Sequence, residues 1–354
     1  MPYPSLRLPR SVSLLLAALC ALAAMLVAAL AVPVTRAASA ASPRTLNVAK
    51  TGSAKGDGSV AKPLSTITAA LKLAPPGDTI AVAPGVYQEF LKTVRAGTAT
   101  APIRITGAPG ARIKGKGVKS DDRLIQIMHS NIVLQGFEIS DAGKLVWIQQ
   151  ATGVGLLGNN LHDAAGECVR VKYLASGNEI AGNTIARCGM VGYGGGKKNG
   201  EGIYIGTAPE QLSKNPTKVT DRSDANWVHG NRINPRAECV DVKEGARDNL
   251  IEGNTCWGNL DPDSGAFESR GEHAIFRHNV ARDGLGAGIR LGGDTAADGL
   301  RNDVYGNTLT NFKGYGIKVM RPVQGKICGN TVVAAKGGIS NDAAAKLVAT
   351  VACG

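Results

Sequence analysis

Short apolar runs with polar residues between them recur along the chain, and seven of them align as rungs. They read Gly143-Lys-Leu-Val-Trp-Ile-Gln149, Gly166-Glu-Cys-Val-Arg-Val-Lys172, Gly200-Glu-Gly-Ile-Tyr-Ile-Gly206, Ala237-Glu-Cys-Val-Asp-Val-Lys243, Ser264-Gly-Ala-Phe-Glu-Ser-Arg270, Gly286-Ala-Gly-Ile-Arg-Leu-Gly292 and Gly314-Tyr-Gly-Ile-Lys-Val-Met320. In every rung the fourth and sixth residues are apolar, Ser269 excepted, while the fifth and often the seventh are polar or charged. This is the period of two of a β-strand, whose successive side chains point to opposite faces. Stacked in register, the rungs bring Lys172, Asp241, Lys243, Glu268, Arg270 and Arg290 to one outward face, with neighbours only about 4.8 Å apart. Trp147 and Tyr204 share the fifth position, which points their rings to solvent as platforms for a sugar.

A second ladder accompanies the first: Leu157-Gly-Asn159, Ala181-Gly-Asn183, His229-Gly-Asn231, Glu252-Gly-Asn254, Arg277-His-Asn279, Tyr305-Gly-Asn307 and Cys328-Gly-Asn330. The asparagines step by 24, 23, 25, 28 and 23 residues, with one step of 48 where a loop intrudes. Short apolar strands and Gly-Asn corners at a fixed period predict an all-β fold, a single-stranded parallel β-helix (solenoid) in which each coil covers the next. Right-handed winding follows from the general preference of parallel crossovers. Asparagine tolerates left-handed corners and stacks its amide on those above and below, so these asparagines are structural.

The first part of the chain has a different texture. Thr45–Ala49 reads as a strand, Ser65–Leu73 as a short helix, and Pro75 to Asp78 as a turn before the strand Thr79–Val82. A short N-terminal capping helix would cover the open end of the apolar stack. The expected organisation is an export signal over 1–40 and a β-helix domain over 41–354. Within that domain, 41–100 form the N-terminal strand and cap, 101–340 the coils and 341–354 a C-terminal cap. Two loops, Thr207–Asn226 and Trp257–Asp263, interrupt the rhythm beside the charged ladder, and insertions in solenoids cluster on a binding face.

Arg7 and Arg10, an apolar run from Val12 to about Val32 and small residues near Ala38-Ser39-Ala40 form an export-signal series. The apolar run is long enough to span a bilayer, and cleavage near residue 40 is favoured over retention as an anchor. Removing Arg7, Arg10 and Arg36 lowers the net charge from +12 to +9. A secreted, extracellular, basic monomer without membrane insertion suits an acidic polysaccharide. Without a basic run interleaved with aromatics, nucleic acid is not expected. Six cysteines follow the signal, an even number that permits disulfides, and Cys328 with Cys353 is the first pairing to test.

The outward column carries the candidate chemistry. Lys243 and Arg270 share the seventh position of neighbouring rungs, and an arginine beside a lysine is expected to lower the lysine pKa and make it a general base. Glu201 and Glu238 share the second position of adjacent rungs, and clustered carboxylates suit hard Ca2+. Glu238 has inward parity if its strand is regular, and reaches the outer face only from the preceding turn; Asp241 is outward in either case. Asp241 and Glu268, adjacent in one column, also meet the demand of a glycoside hydrolase for two acids. His273, three residues after Arg270, is a candidate proton donor.

Glu238-Cys-Val-Asp-Val-Lys243, followed by Phe267-Glu-Ser-Arg270, resembles the glutamate-to-lysine and arginine signature of the alginate lyase and chondroitinase B family of β-helical polysaccharide lyases. Pro76-Gly-Asp-Thr-Ile80 and Pro84-Gly-Val-Tyr-Gln-Glu89 are similar to its opening coils. The resemblance implies Lys243 as the base removing the uronate C5 proton, Arg270 assisting at the sugar and Glu238 holding Ca2+. The substrate would be a uronic-acid polysaccharide, with Asp241, Glu268, Tyr204, Arg290 and Lys172 as binding residues. Two positions depart from the signature: Arg236 stands where a second glutamate is usual and Gly271 where a histidine is. Glu201 from the coil below and Arg236 itself are the candidates for the missing charge. A C5-epimerase, a glycoside hydrolase and a noncatalytic carbohydrate-binding or surface β-helix are the other readings of the same column.

Overall fold

The computed structural model describes residues 42–119, 122–191, 199–340 and 353. The expected signal over 1–40 and nearly all of the expected C-terminal cap lie outside the described residues. The chain winds as an all-β parallel β-helix of about ten turns, whose strands build three parallel sheets of 11, 9 and 10 strands. Every one of the seven rungs adds its strand to the nine-stranded sheet.

Inward positions stack like on like. Val146, Val169, Ile203, Val240, Phe267, Ile289 and Ile317 follow one another in register, all buried. Each such aliphatic side chain removed from water is worth about 1.5–3 kcal/mol, repeated coil after coil. Ser269 interrupts the neighbouring inward row, and its hydroxyl donates to Asn302 Oδ1 at 3.0 Å, which satisfies it there.

The asparagine ladder forms as the sequence implies. Asn231 Nδ2 donates to Asn254 Oδ1 at 2.9 Å and to the Ile180 carbonyl at 2.8 Å, and the pattern runs from Asn159 to Asn330. The residue before each asparagine is left-handed: Gly230 and Gly253 have φ 60°, and His278 takes the same conformation at φ 54°. A second ladder, Asn178 to Asn226 to Asn249, repeats the bonding at another corner. The corners thus carry buried amides that pair with one another from coil to coil.

The helix Ile67–Leu73 packs on the first coils, with Thr66 as its cap accepting from the Ala69 N–H at 3.1 Å. The Glu89 carboxylate also accepts from the N–H groups of Ile67 and Thr68, both at 2.9 Å. The strands Thr79–Val82, Gly85–Tyr87 and Leu91–Lys92 already feed all three sheets before Pro102. Disulfides join Cys168 to Cys188, Cys239 to Cys256 and Cys328 to Cys353, the last as expected. Among the described residues no helix is long and apolar enough to cross a membrane.

Candidate functional site

Parity and register build one outward column on the nine-stranded sheet. It runs Trp147, Arg170, Tyr204, Asp241, Glu268, Arg290, Lys318, each the neighbour of the next. The expectation that this face meets solvent is not met. Asp241 is 0% exposed, Glu268 2%, Trp147, Tyr204 and Lys172 3%, and Arg290 7%. The interrupting loops supply the reason. The Ala208 N–H donates to the Tyr204 hydroxyl at 3.3 Å, Arg170 donates to Gln211 at 3.4 Å, and Asp261 and Asp263 stand over the upper coils.

Below the middle of the column, cations and rings alternate. The Arg170 guanidinium lies 3.9 Å from the Tyr204 ring centroid, Arg123 lies 3.7 Å from that of Trp147, and Lys172 is 4.6 Å from that of Tyr173. Arg170 also donates to Glu167 at 2.7 Å, so the acid of that rung is already neutralised. Burial, reinforced by the Arg170 charge, pushes Lys172 down to about 7. Lys172 and Tyr204 are therefore packed within the wall and do not line the cavity described next.

Above the middle, carboxylates gather. One ligand oxygen each from Glu201, Glu238 and Asp241 lies within 4.8 Å of the others, the only such cluster of acidic, histidine or cysteine side chains among the described residues. The strand Val240–Val242 begins after Glu238, so this residue leaves the preceding turn toward the outer face, and the condition set by its parity is fulfilled. Glu201 joins from the coil below, its carboxylate accepting from the Gly200 N–H at 2.8 Å. Of the two candidates for the missing charge, the structure brings Glu201 to the cluster. Burial first, then the charge of Glu167, pushes Glu201 up to about 7. Burial and then Asp241 hold Glu238 well above the ordinary carboxylate range.

The cations of this half are each held by acids. Lys243 Nζ lies 2.6 Å from Asp241 Oδ2, and neither Asp241 oxygen has an aligned hydrogen-bond donor. Arg270 donates to Glu268 and to Glu244, both at 3.0 Å, and reaches Asp294 at 3.1 Å; Arg290 donates to Glu268. Lys243 and Arg270 occupy neighbouring rungs as expected, but the expected fall in the lysine pKa is reversed. Burial alone would lower it; Asp241, with Tyr204, Glu268 and Glu238 beyond, outweighs burial and holds the ammonium well above the ordinary value. The carboxylate two residues away, at 2.6 Å, outweighs the arginine of the neighbouring rung.

A cavity of about 220 Å³ opens over this cluster, lined by Glu201, Glu238, Lys243, Glu268, Arg270 and Arg290 with Asp261, Asp263 and Ser264. The last three were not singled out as site residues, although acids in a loop beside a binding face were a signal. His273 sits exposed at a left-handed corner and does not line the cavity, so it has no place as proton donor.

Two family models match the chain. Residues 50–264 match the family described as a protein of unknown function (DUF1565), and residues 199–348 match the periplasmic copper-binding protein (NosD) family. No curated protein matches. Among solved structures, an alginate lyase from Paenibacillus sp. str. FPU-7 is similar with a TM-score of 0.72 at 22% identity, covering 84% of this chain and 97% of that one. Pectate lyase Pel9A gives 0.63 at 17% identity over 85% and 79%, and a glycoside hydrolase gives 0.56 at 9% over 87% and 99%. At such identities the likeness speaks for the fold, and the chemistry rests on the residues.

Proposed function

We propose that this chain, which belongs to the DUF1565 family, is an extracytoplasmic polysaccharide lyase that cleaves a uronic-acid polysaccharide by β-elimination. The observation that carries the reading is the cluster of Glu201, Glu238 and Asp241, of which Glu201 and Glu238 line a polar cavity edged by Lys243 and Arg270 while Asp241 is buried behind them. Three disulfides suit an oxidising compartment, and solved structures of similar fold include an alginate lyase and a pectate lyase.

The cluster fits a hard divalent cation. Ca2+ takes oxygen ligands at about 2.3–2.6 Å, so two ligands of one ion lie no more than about 5 Å apart, and the three acids meet that limit. Asp241 Oδ2 is met by the Lys243 ammonium, and Asp241 Oδ1, buried without a hydrogen bond, is the atom in want of a partner. Copper, named in the description of the NosD family, favours imidazole and sulfur donors, and this all-carboxylate set does not suit it.

Glu201, Glu238 and Asp241 would hold Ca2+ against the uronate carboxylate. When bound, Ca2+ would cancel the carboxylate charge that keeps Lys243 an ammonium and draw off the negative charge that builds beside C5. Lys243, at the cavity edge, takes the C5 proton; the electron pair left behind forms the C4–C5 double bond as the C4–O bond breaks, and the leaving oxygen takes up a proton from solvent in the open cavity. Arg270 is fixed from three sides by Glu244, Glu268 and Asp294, so its guanidinium faces the sugar without reorganising.

The test is to incubate the mature chain with alginate, pectate, chondroitin and glucuronan and follow the ultraviolet absorbance of an unsaturated uronate. Absorbance that depends on Lys243 and Glu238 is expected. Its absence on all four polymers, or unaltered rates in Lys243→Ala, would remove the mechanism. An epimerase or a hydrolase would change the polymer without that absorbance.

A further inference from the structure

The column that carries the acids continues into a second cavity of opposite character. Lys318 stands one strand beyond Arg290 and two beyond Glu268 in register, about 10 Å along the solenoid axis. With Lys313, Lys336 and Tyr315 it lines a cavity of about 340 Å³ in which no carboxylate takes part. Pro262 lines it too, while its chain neighbours Asp261 and Asp263 line the acidic cavity, so one loop is a wall of both.

Lys313 and Lys318 come from one coil and Lys336 from the next, and the backbone sets their places. The Lys313 N–H donates to the Gly284 carbonyl and the Lys336 N–H to the Gly314 carbonyl, both at 3.0 Å, which stacks these two corners one above the other. Lys336 Nζ lies 5.1 Å from the centroid of the Tyr315 ring. Lys243, Arg270 and Arg290 are each held by a carboxylate, whereas among the described residues these three ammonium groups have no ion-pair partner. Converging cations without counter-charge repel one another, and an anion placed among them relieves that cost. The Tyr315 ring and the lysine stems add an apolar face for a sugar ring.

We propose that this cavity binds an anionic sugar of the same polysaccharide chain whose uronate is seated at the acidic cluster, so that the chain runs along the sheet toward the C-terminal coils. This rests on the reading of the acidic cluster as a uronate site. The ligand class is a carboxylated polysaccharide long enough to span both cavities. Neutral chains and single disaccharides fall outside it.

The experiment compares the mature Lys243→Ala protein with the same protein carrying Lys313→Ala, Lys318→Ala and Lys336→Ala, by titration calorimetry with oligouronates. Long oligouronates are expected to bind about tenfold or more weakly to the lysine-free variant, with a shallower salt dependence. Disaccharides and neutral oligosaccharides are expected to bind both proteins alike. Lys313 and Lys336 are exposed, so thermal midpoints should match; the single variant Lys336→Gln, expected to show a smaller loss, serves if they do not. Unchanged affinity for long oligouronates, or an equal loss for neutral chains, would overturn the inference. Elimination with lysine-independent binding would strike this inference alone, and lysine-dependent binding without elimination in the parent protein would strike the acidic-cluster reading alone.

Discussion

Two coils of this solenoid share one sequence frame and differ at its centre. Glu167-Cys-Val-Arg-Val-Lys172 and Glu238-Cys-Val-Asp-Val-Lys243 each place a glutamate in the turn, a disulfide cysteine inward and a lysine at the rung's end. In the first, Arg170 closes on Glu167 at 2.7 Å, and burial with that arginine depresses Lys172 to about 7. In the second, Asp241 adds a carboxylate beside Glu238, both acids crowd against Glu201, and Lys243 is driven up. One charge reversal turns a closed ion pair into an open acidic cluster. Matched buried charges hold the fold, and a surplus of carboxylates over the one lysine beside them marks a place for a cation.

The most severe test of this contrast is Asp241→Arg. It should recreate the lower coil's pair with Glu238, leave the β-helix folded by circular dichroism, and reduce elimination by about a thousandfold or more, about 4 kcal/mol of transition-state stabilisation. Retained activity would mean that the acidic cluster is not the reacting centre.

Next in size is a polar ladder with its partners. Asn254→Ala deletes a buried amide that accepts from Asn231 and donates to Asn279 and the Val228 carbonyl, and should cost about 2–4 kcal/mol in denaturant unfolding. Glu238→Gln, by contrast, removes a charge that burial and Asp241 already disfavour. In calcium-free buffer it should change stability by less than about 1 kcal/mol while lowering activity. Equal losses from the two substitutions would erase the distinction between the ladders.

A further effect concerns pH. Lys172 is held near 7, below the ordinary lysine value of 10.5, so the unfolded chain binds the extra proton between those limits and stability rises with pH across that window. The contribution is present above 10.5 and is lost as pH falls through about 7. Lys172→Met should therefore flatten the rise in stability measured by denaturant midpoint between about pH 7 and about pH 10. A rise of the same slope in the variant would show that another group carries it.

Much of this arrangement was legible in the sequence because it is periodic. The alternation within the rungs fixed which residues share a column, including the adjacency of Asp241, Glu268 and Arg290. The repeated Gly-Asn corners announced the main asparagine ladder. The second ladder, from Asn178 to Asn249, was missed although Gly177, Ala225 and Asp248 precede its members, each in a left-handed conformation. What had no period could not be read. The loop Thr207–Asn226, with a 3-10 turn at Pro209–Lys214 that leaves no repeating mark, covers Tyr204 and Arg170, while Arg123 and Tyr173 cover Trp147, so the burial of both rings is not legible in the period. The pKa of Lys243 depended on which charge lies nearest, and a distance of 2.6 Å to Asp241 decides that.

The central claim is that Glu201, Glu238 and Asp241 form a cation centre, and calorimetric titration of the metal-free protein with Ca2+ tests it most directly. One saturable site per chain is expected in the parent protein, lost in Asp241→Arg and restored by no other divalent ion as well as by Ca2+. Absence of binding in the parent, or equal binding in Asp241→Arg, would contradict the account.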